Sequence, residues 1–100
     1  MKNTIYVAPS DINGDGLFTI EKIKEGEIIG VSHLKYGNYW YSVDPIGIYY
    51  NHSENPNCTI ETRDNINLII ANVDIMRGEE LTVDYREQPY LEQPNKDWIK

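Results

Sequence analysis

Asp11-Ile12-Asn13-Gly14-Asp15-Gly16 is the first stretch whose residue types and spacing could do chemistry. Alternating oxygen donors closed by a glycine open the D-x-[DN]-x-[DN]-G loop that wraps a calcium ion. The surrounding residues argue against calcium. The twelfth loop position should be a bidentate Glu, and here it is the cation Lys22. A helix should precede the loop, yet the residues before it are strand formers and Pro9. The stretch is therefore read as a tight turn, in which Asn and Gly accept positive φ and Asp side chains cap local backbone. Gly14 and Gly16 would also let backbone approach a ligand closely. Cys58 is the single cysteine, so neither an internal disulfide nor a cysteine zinc site is available, and no metal is expected. Asn51-His52-Ser53 and Asn57-Cys58-Thr59 match the glycosylation acceptor pattern. The first five residues hold no apolar signal core, so these are read as chance matches in an intracellular chain.

Short strands must position these residues. Ile5-Tyr6-Val7, closed by Pro9, and Leu17-Phe18-Thr19-Ile20 are predicted as strands on either side of the Asp11–Gly16 turn. A third strand, Glu27 to Val31, follows the turn Lys24-Glu25-Gly26-Glu27. Tyr36 to Val43 alternates aromatic and polar residues about Gly37-Asn38, the pattern of a hairpin. At most one helical turn is expected near Ile46–Tyr50, and Asn51 to Asn57 reads as a polar loop. Cys58 to Thr62 and Asn67 to Val73 read as strands across the turn Arg63-Asp64-Asn65, and Leu81 to Tyr85 as the last strand. No repeat, linker or long amphipathic helix stands out. The composition agrees: 14 Ile and 8 Tyr against 2 Ala and 5 Leu favour a pleated, half-buried surface over a helix. Many short strands joined by tight turns predict an all-β domain.

At 100 residues the chain is the size of one domain. Its 40% hydrophobic content is that of a globular chain rather than a disordered one. No apolar run approaches the ~18 residues of a membrane helix. Nine basic and 16 acidic residues give a net charge of −7, which disfavours direct nucleic-acid binding. That charge suits a basic partner such as a lysine-rich peptide, although many acidic small domains are acidic only for solubility.

Three blocks together resemble SET domains, the S-adenosylmethionine-dependent protein-lysine methyltransferases. Gly14-Asp15-Gly16-Leu17-Phe18 followed by Ile23-Lys24-Glu25-Gly26-Glu27-Ile28-Ile29 resembles their N-terminal block. Asn51-His52-Ser53-Glu54-Asn55-Pro56-Asn57-Cys58 resembles their central signature, and Gly78-Glu79-Glu80-Leu81-Thr82-Val83-Asp84-Tyr85 their closing one. The resemblance covers residues 3 to 86, and the small viral SET proteins are nearest in size. It implies a SET-domain fold of short curled sheets with a C-terminal segment threaded under a loop as a pseudoknot. That topology does not follow from the strand pattern and runs against the general rule that chains do not thread. Residues 1–100 would form a single minimal SET domain, with residues 86–100 as a tail folding over the cofactor.

The resemblance also implies roles. Gly14, Asp15, Gly16 and Leu17 would cradle the methionine part of S-adenosylmethionine. The Asn51 side chain and the His52 backbone would hold the cofactor, and Trp98 could stack on its adenine. Tyr85 would be the catalytic tyrosine. Tyr41, Gly47, Tyr49, Tyr50 and Ile60 would line the lysine channel, and the apolar Ile60 leaves room for higher methylation states. The substrate would be a lysine-containing, basic protein or peptide. The chemistry is an in-line displacement by a neutral amine, in which alignment can supply up to ~7–11 kcal/mol of barrier reduction. Free lysine has a pKa near ~10.4, and a narrow apolar channel favours its neutral form by desolvation.

The sequence departs from the family in one place. Only twenty residues, Val31 to Tyr50, separate the first two blocks, where the family carries a longer insert that walls the peptide groove. Tyr36-Gly37-Asn38-Tyr39-Trp40-Tyr41 could replace that wall, or simply pack as a hairpin, and a homodimer could complete the groove. The rival function is a non-catalytic SET-like module that binds a protein or peptide. A calcium module is a distant third.

Overall fold

Alternation of branched and polar side chains builds the largest sheet in the molecule. A computed structural model describes residues 5–87. Ile66–Ala71 (β7) turns Asn67, Ile69 and Ala71 inward, and Cys58–Arg63 (β6) pairs with it antiparallel across the tight turn at Asp64-Asn65. On the other side of β7 lies Ile28–Tyr36 (β3), which pairs in turn with Tyr39–Ser42 (β4). The strand order is β4-β3-β7-β6. Two shifts of register between β3 and β7 explain why β3 buries adjacent residues, Ile29 with Gly30 and Ser32 with His33, rather than alternate ones. The predicted hairpin closes at Gly37-Asn38, between Tyr36 and Tyr39.

Ile5–Pro9 (β1) and Asp15–Thr19 (β2) form a separate antiparallel hairpin, with Pro9 the last residue of its strand. Residues 10–14 make the turn of that hairpin, and Asp15 and Gly16 already belong to β2. The turn is closed by Ser10 N–H donating to the Gly14 carbonyl at 2.8 Å and flanked by strands, unlike a calcium loop. Ile46–Tyr49 (α1) is the single expected helical turn.

The C-terminal signature is gripped on three sides. Thr19 N–H bonds the Glu79 carbonyl and Leu81 N–H bonds the Leu17 carbonyl, at 3.2 and 2.7 Å, which lays the segment along β2. Thr82–Val83 (β8) then pairs in parallel with Asn51–His52 (β5). The Asn57 carboxamide crosses over: it donates to the Glu80 carbonyl at 2.8 Å and accepts from Thr82 N–H at 2.9 Å. The segment therefore runs between β2 and β5 and against loop 53–57, the threaded arrangement that the resemblance implies. Two expectations change here. Residues 51–52 form a strand rather than a loop, and the last strand is only Thr82–Val83, with a 3-10 turn at Tyr85–Glu87.

A local repeat that the sequence reading passed over also appears. Ile23-Lys24-Glu25-Gly26-Glu27 and Ile75-Met76-Arg77-Gly78-Glu79 are both Ile-x-x-Gly-Glu turns. Ile23 and Ile75 exchange backbone bonds of 2.9 and 2.8 Å, and each Gly has φ above +80° (87° and 84°). The core is Leu17, Ile23, Ile29, Tyr50, Cys58, Ile69, Ala71, Ile75, Leu81 and Val83, drawn from both turns, from β2, β3, β6 and β7, from the end of α1 and from the C-terminal segment.

Candidate functional site

β5, β8 and the β1–β2 turn bring the three motif blocks to one place. Asn51 is buried, and its Nδ2 lies 3.1 Å from Ser10 Oγ, 3.1 Å from the Asn13 carbonyl, 3.3 Å from the Asp15 carbonyl and 2.7 Å from Glu80 Oε2. Carbonyl and carboxylate oxygens can only accept, so they fix which end of the carboxamide is nitrogen. Two N–H groups serve this ring of acceptors, and Oδ1 has no hydrogen bond among the described residues. The Ser10 hydroxyl donates to the Glu80 carboxylate, 2.8 Å from both oxygens, and accepts Ile12 N–H at 2.9 Å. A Cβ on Gly16 would lie 2.3 Å from Glu80 Oε2 and 3.1 Å from Ser10 Cβ, so a side chain there would displace the Glu80 carboxylate. Asp15 is exposed and contributes its carbonyl, while the Leu17 side chain is wholly buried in the core.

His52 and Tyr85 form the other half. His52 Nδ1 accepts the Tyr85 N–H at 3.1 Å, which assigns the ring proton to Nε2. Among the described residues that buried Nε2 has no hydrogen-bond partner. The Tyr85 hydroxyl donates to the Tyr50 carbonyl at 2.9 Å, and the rings of Tyr50 and His52 flank it at 6.0 and 5.3 Å. Burial, reinforced by the charge of Glu80, raises the Tyr85 pKa above its ordinary value, so the hydroxyl stays protonated at neutral pH. Asp84 next to it is held below the usual carboxylate range chiefly by hydrogen bonding from Arg86.

The proposed channel residues divide. Tyr50 is buried and Tyr49 and Ile60 pack against the core. Gly47 is buried with its Cα against β3, where a Cβ would sit 1.9 Å from the Ser32 carbonyl oxygen. Tyr41 is 53% exposed on the β3–β4 hairpin and meets Tyr36 with ring centroids 5.8 Å apart. Trp98 lies outside the described residues. The span from Val31 to Tyr50 is the rest of β3, β4 and α1, so the shortened insert is a hairpin and one helical turn.

Three residues of this constellation received no role from the sequence: Ser10, Asn57 and Glu80. Asn57 and Glu80 stood inside quoted signatures. Ser10 was legible only as a polar residue ahead of the turn, since its bond to Glu80 spans seventy positions.

The SET domain family model matches residues 32–86, more than half of the chain and including Asn51, His52, Glu80 and Tyr85. The histone-lysine N-methyltransferase trr of Drosophila melanogaster is 32% identical over 118 aligned residues, which take in 85% of this chain and 5% of that protein. The chain thus spans a small part of that relative's length. The crystal structure of a candidate histone methyltransferase of Plasmodium falciparum superposes with a TM-score of 0.72 at 28% identity, covering 85% of this chain and 95% of that one. Polycomb Repressive Complex 2 of Chaetomium thermophilum, in an autoinhibited conformation bound to S-adenosylmethionine, superposes at 0.75 with 19% identity. That match covers 95% of this chain and 16% of that one, a likeness of fold alone. With the central and closing signatures both inside the family match and the fold shared, the chain belongs to the SET-domain family.

Proposed function

We propose that residues 1–100 act as a single minimal SET domain that transfers a methyl group from S-adenosylmethionine to the side-chain amine of a lysine in a basic protein. The observation that carries this reading is the convergence of Asn51, the Gly14–Gly16 turn and the Tyr85 hydroxyl, from segments far apart in the chain, around β5 and β8. The residues fit the cofactor. Asn51 Oδ1 is an acceptor left over after the Nδ2 bonds are made. His52 Nε2–H is a buried donor with no acceptor among the described residues, one that an acceptor on the ligand could satisfy. Gly16 keeps side-chain bulk out of the turn.

When bound, S-adenosylmethionine supplies a methyl group on a positively charged sulfur. The chain's own residues then bind and align. Asn51 and the 13–16 backbone hold the amino-acid end, and His52 fixes the backbone of Tyr85. The Tyr85 hydroxyl, its proton directed to the Tyr50 carbonyl, presents an oxygen that can accept an N–H of the incoming amine and aim its lone pair. A protonated tyrosine suits that task better than a phenolate, which would hold the amine as ammonium. Tyr50, Tyr49 and Ile60 supply apolar surroundings that favour the neutral amine.

The test is methyl transfer. The chain is incubated with methyl-labelled S-adenosylmethionine and a mixture of basic proteins, and the label is located by peptide mass spectrometry. Label on lysine side chains is expected. Cofactor binding with no label on any lysine would select the non-catalytic binding module instead.

A further inference from the structure

His33 lies outside the three signature blocks and takes no part in the chemistry described so far. Its ring sits in β3 at 1% exposure. Both ring nitrogens meet hydroxyls: Nδ1 is 3.1 Å from Ser32 Oγ, and Nε2 is 3.3 Å from Ser42 Oγ. These partners fix the tautomer. Ser32 Oγ gives its one proton to the Asn67 carbonyl at 3.3 Å, so it accepts from Nδ1–H, and the Ser42 hydroxyl donates to Nε2. Burial lowers the His33 pKa, which keeps this neutral form at neutral pH. The relay joins β4, β3 and β7. An apolar residue would fill a core position with no such bonds, whereas a satisfied polar network selects one arrangement. That arrangement supports the site. The His33 ring meets the Tyr50 ring edge to face with centroids 6.4 Å apart, and Tyr50 meets Tyr85 in the same way at 6.0 Å. The Tyr50 carbonyl accepts the Tyr85 hydroxyl. Beside His33, the Ser32 carbonyl accepts Val43 N–H at 2.9 Å and abuts Gly47, so the segment leading into Tyr50 rests on residues 32–33.

We propose that His33 is a positioning residue for methyl transfer: its ring, pinned by Ser32 and Ser42, holds Tyr50 in place and so aims the carbonyl that directs the Tyr85 hydroxyl. The proposal rests on the methyl-transfer reading and carries it to a residue outside the signature blocks. It also gives the β3–β4 hairpin a task. Ser42 belongs to that hairpin, which stands where the family carries a longer insert, and its hydroxyl is one of the two that hold the ring. His33 touches neither the amine nor the cofactor. Its effect on rate passes through Tyr50 and Tyr85, so it vanishes when the Tyr85 hydroxyl is removed.

Methyl transfer to the mixture of basic proteins, at saturating S-adenosylmethionine, tests this. His33→Phe keeps a ring but loses both serine bonds, and Ser42→Ala removes one of them at an exposed position. Turnover is expected to fall about 10-fold in His33→Phe and about 3-fold in Ser42→Ala, a fraction of the ~100-fold that a ~1 Å misplacement can cost. Ser42→Thr, which restores a hydroxyl, should transfer at the unmutated rate. Affinity for S-adenosylhomocysteine, measured by calorimetry, should stay within ~2-fold in all three, the mark of an effect on turnover rather than binding. In a Tyr85→Phe background, His33→Phe should cost less than ~2-fold, since both changes break one chain of contacts. An equal cost in both backgrounds marks a merely structural residue and overturns the proposal, as does full turnover in folded His33→Phe. If His33→Phe fails to fold, Ser42→Ala decides: turnover equal to that of Ser42→Thr overturns the proposal. If the unmutated chain labels no lysine, the methyl-transfer reading fails, and the Tyr85 ring is then read directly. NMR of tyrosine labelled at Cζ, assigned with Tyr85→Phe, should show the Tyr85 signal displaced in Ser42→Ala and unmoved in Ser42→Thr. A signal unmoved in both overturns the positioning role.

Discussion

Asn51 shows how much one side chain can carry. Its amide nitrogen ties the β1–β2 turn to Glu80, and its oxygen has no partner among the described residues. Asn51→Ala is expected to weaken S-adenosylmethionine binding by about 1–3 kcal/mol, because part-buried acceptors lose their donor and the ligand loses its acceptor. The same variant should lower the melting temperature, since Asp15, Asn13 and Glu80 lose a shared partner. Calorimetry and thermal denaturation on one protein check both. Cys58 makes the opposite kind of prediction. Burial pushes its thiol pKa up to about 12, so at pH 8 it holds almost no thiolate. A disulfide reagent should react with it at least about a hundredfold faster in denaturant than in buffer. Equal rates would place Cys58 at the surface. His52 was legible as a site residue only through resemblance, and its structural task, the bond from Tyr85 N–H, has no local signature in the sequence.

At the scale of elements, legibility followed the range of the interactions. The β6–β7 pair and the Gly37-Asn38 hairpin were readable because alternation and turn chemistry are local. β5 was not. Asn51-His52 is a polar dipeptide that becomes a strand only because Thr82-Val83, some thirty residues on, lies parallel beside it. The length of β3 was also underestimated, because its irregular register breaks the period-two pattern by which a strand is recognised. The paired Ile-x-x-Gly-Glu turns were written in the sequence, yet only their reciprocal bonds make them a unit. Asn57 is the residue that locks the C-terminal segment, and Asn57→Ala removes bonds to the Glu80 carbonyl and the Thr82 N–H at once. A loss of about 2–4 kcal/mol of stability is expected in chemical denaturation, more than one ordinary hydrogen bond. A loss under about 0.5 kcal/mol would mean that the β2 and β5 contacts suffice by themselves.

For the molecule as a whole, acidity should matter through His33. Its ring is buried in β3 between Ser32 and Ser42, and burial lowers its pKa below 6.5. As pH falls, the unfolded chain takes up this proton first, so the unfolded state binds more protons and stability drops. The loss begins near the ordinary pKa and continues down to the folded one. Denaturation midpoints are expected to fall between pH 7 and pH 5, and His33→Gln should show a flatter slope over that window. The net charge of −7 remains the chain's argument for a basic substrate. No helix among the described residues is long and apolar enough to cross a membrane. The central claim is that this small fold catalyses methyl transfer, and Tyr85→Phe tests it most directly. The change deletes one oxygen, the one bonded to the Tyr50 carbonyl. A nitrogen misplaced by ~1 Å can cost ~100-fold in rate, so the account predicts transfer to lysine reduced by at least ~100-fold. S-adenosylmethionine affinity should stay within ~3-fold, and stability should fall by only about 1 kcal/mol, the loss of one hydrogen bond. A Tyr85→Phe protein that transfers methyl groups at the unmutated rate would contradict it.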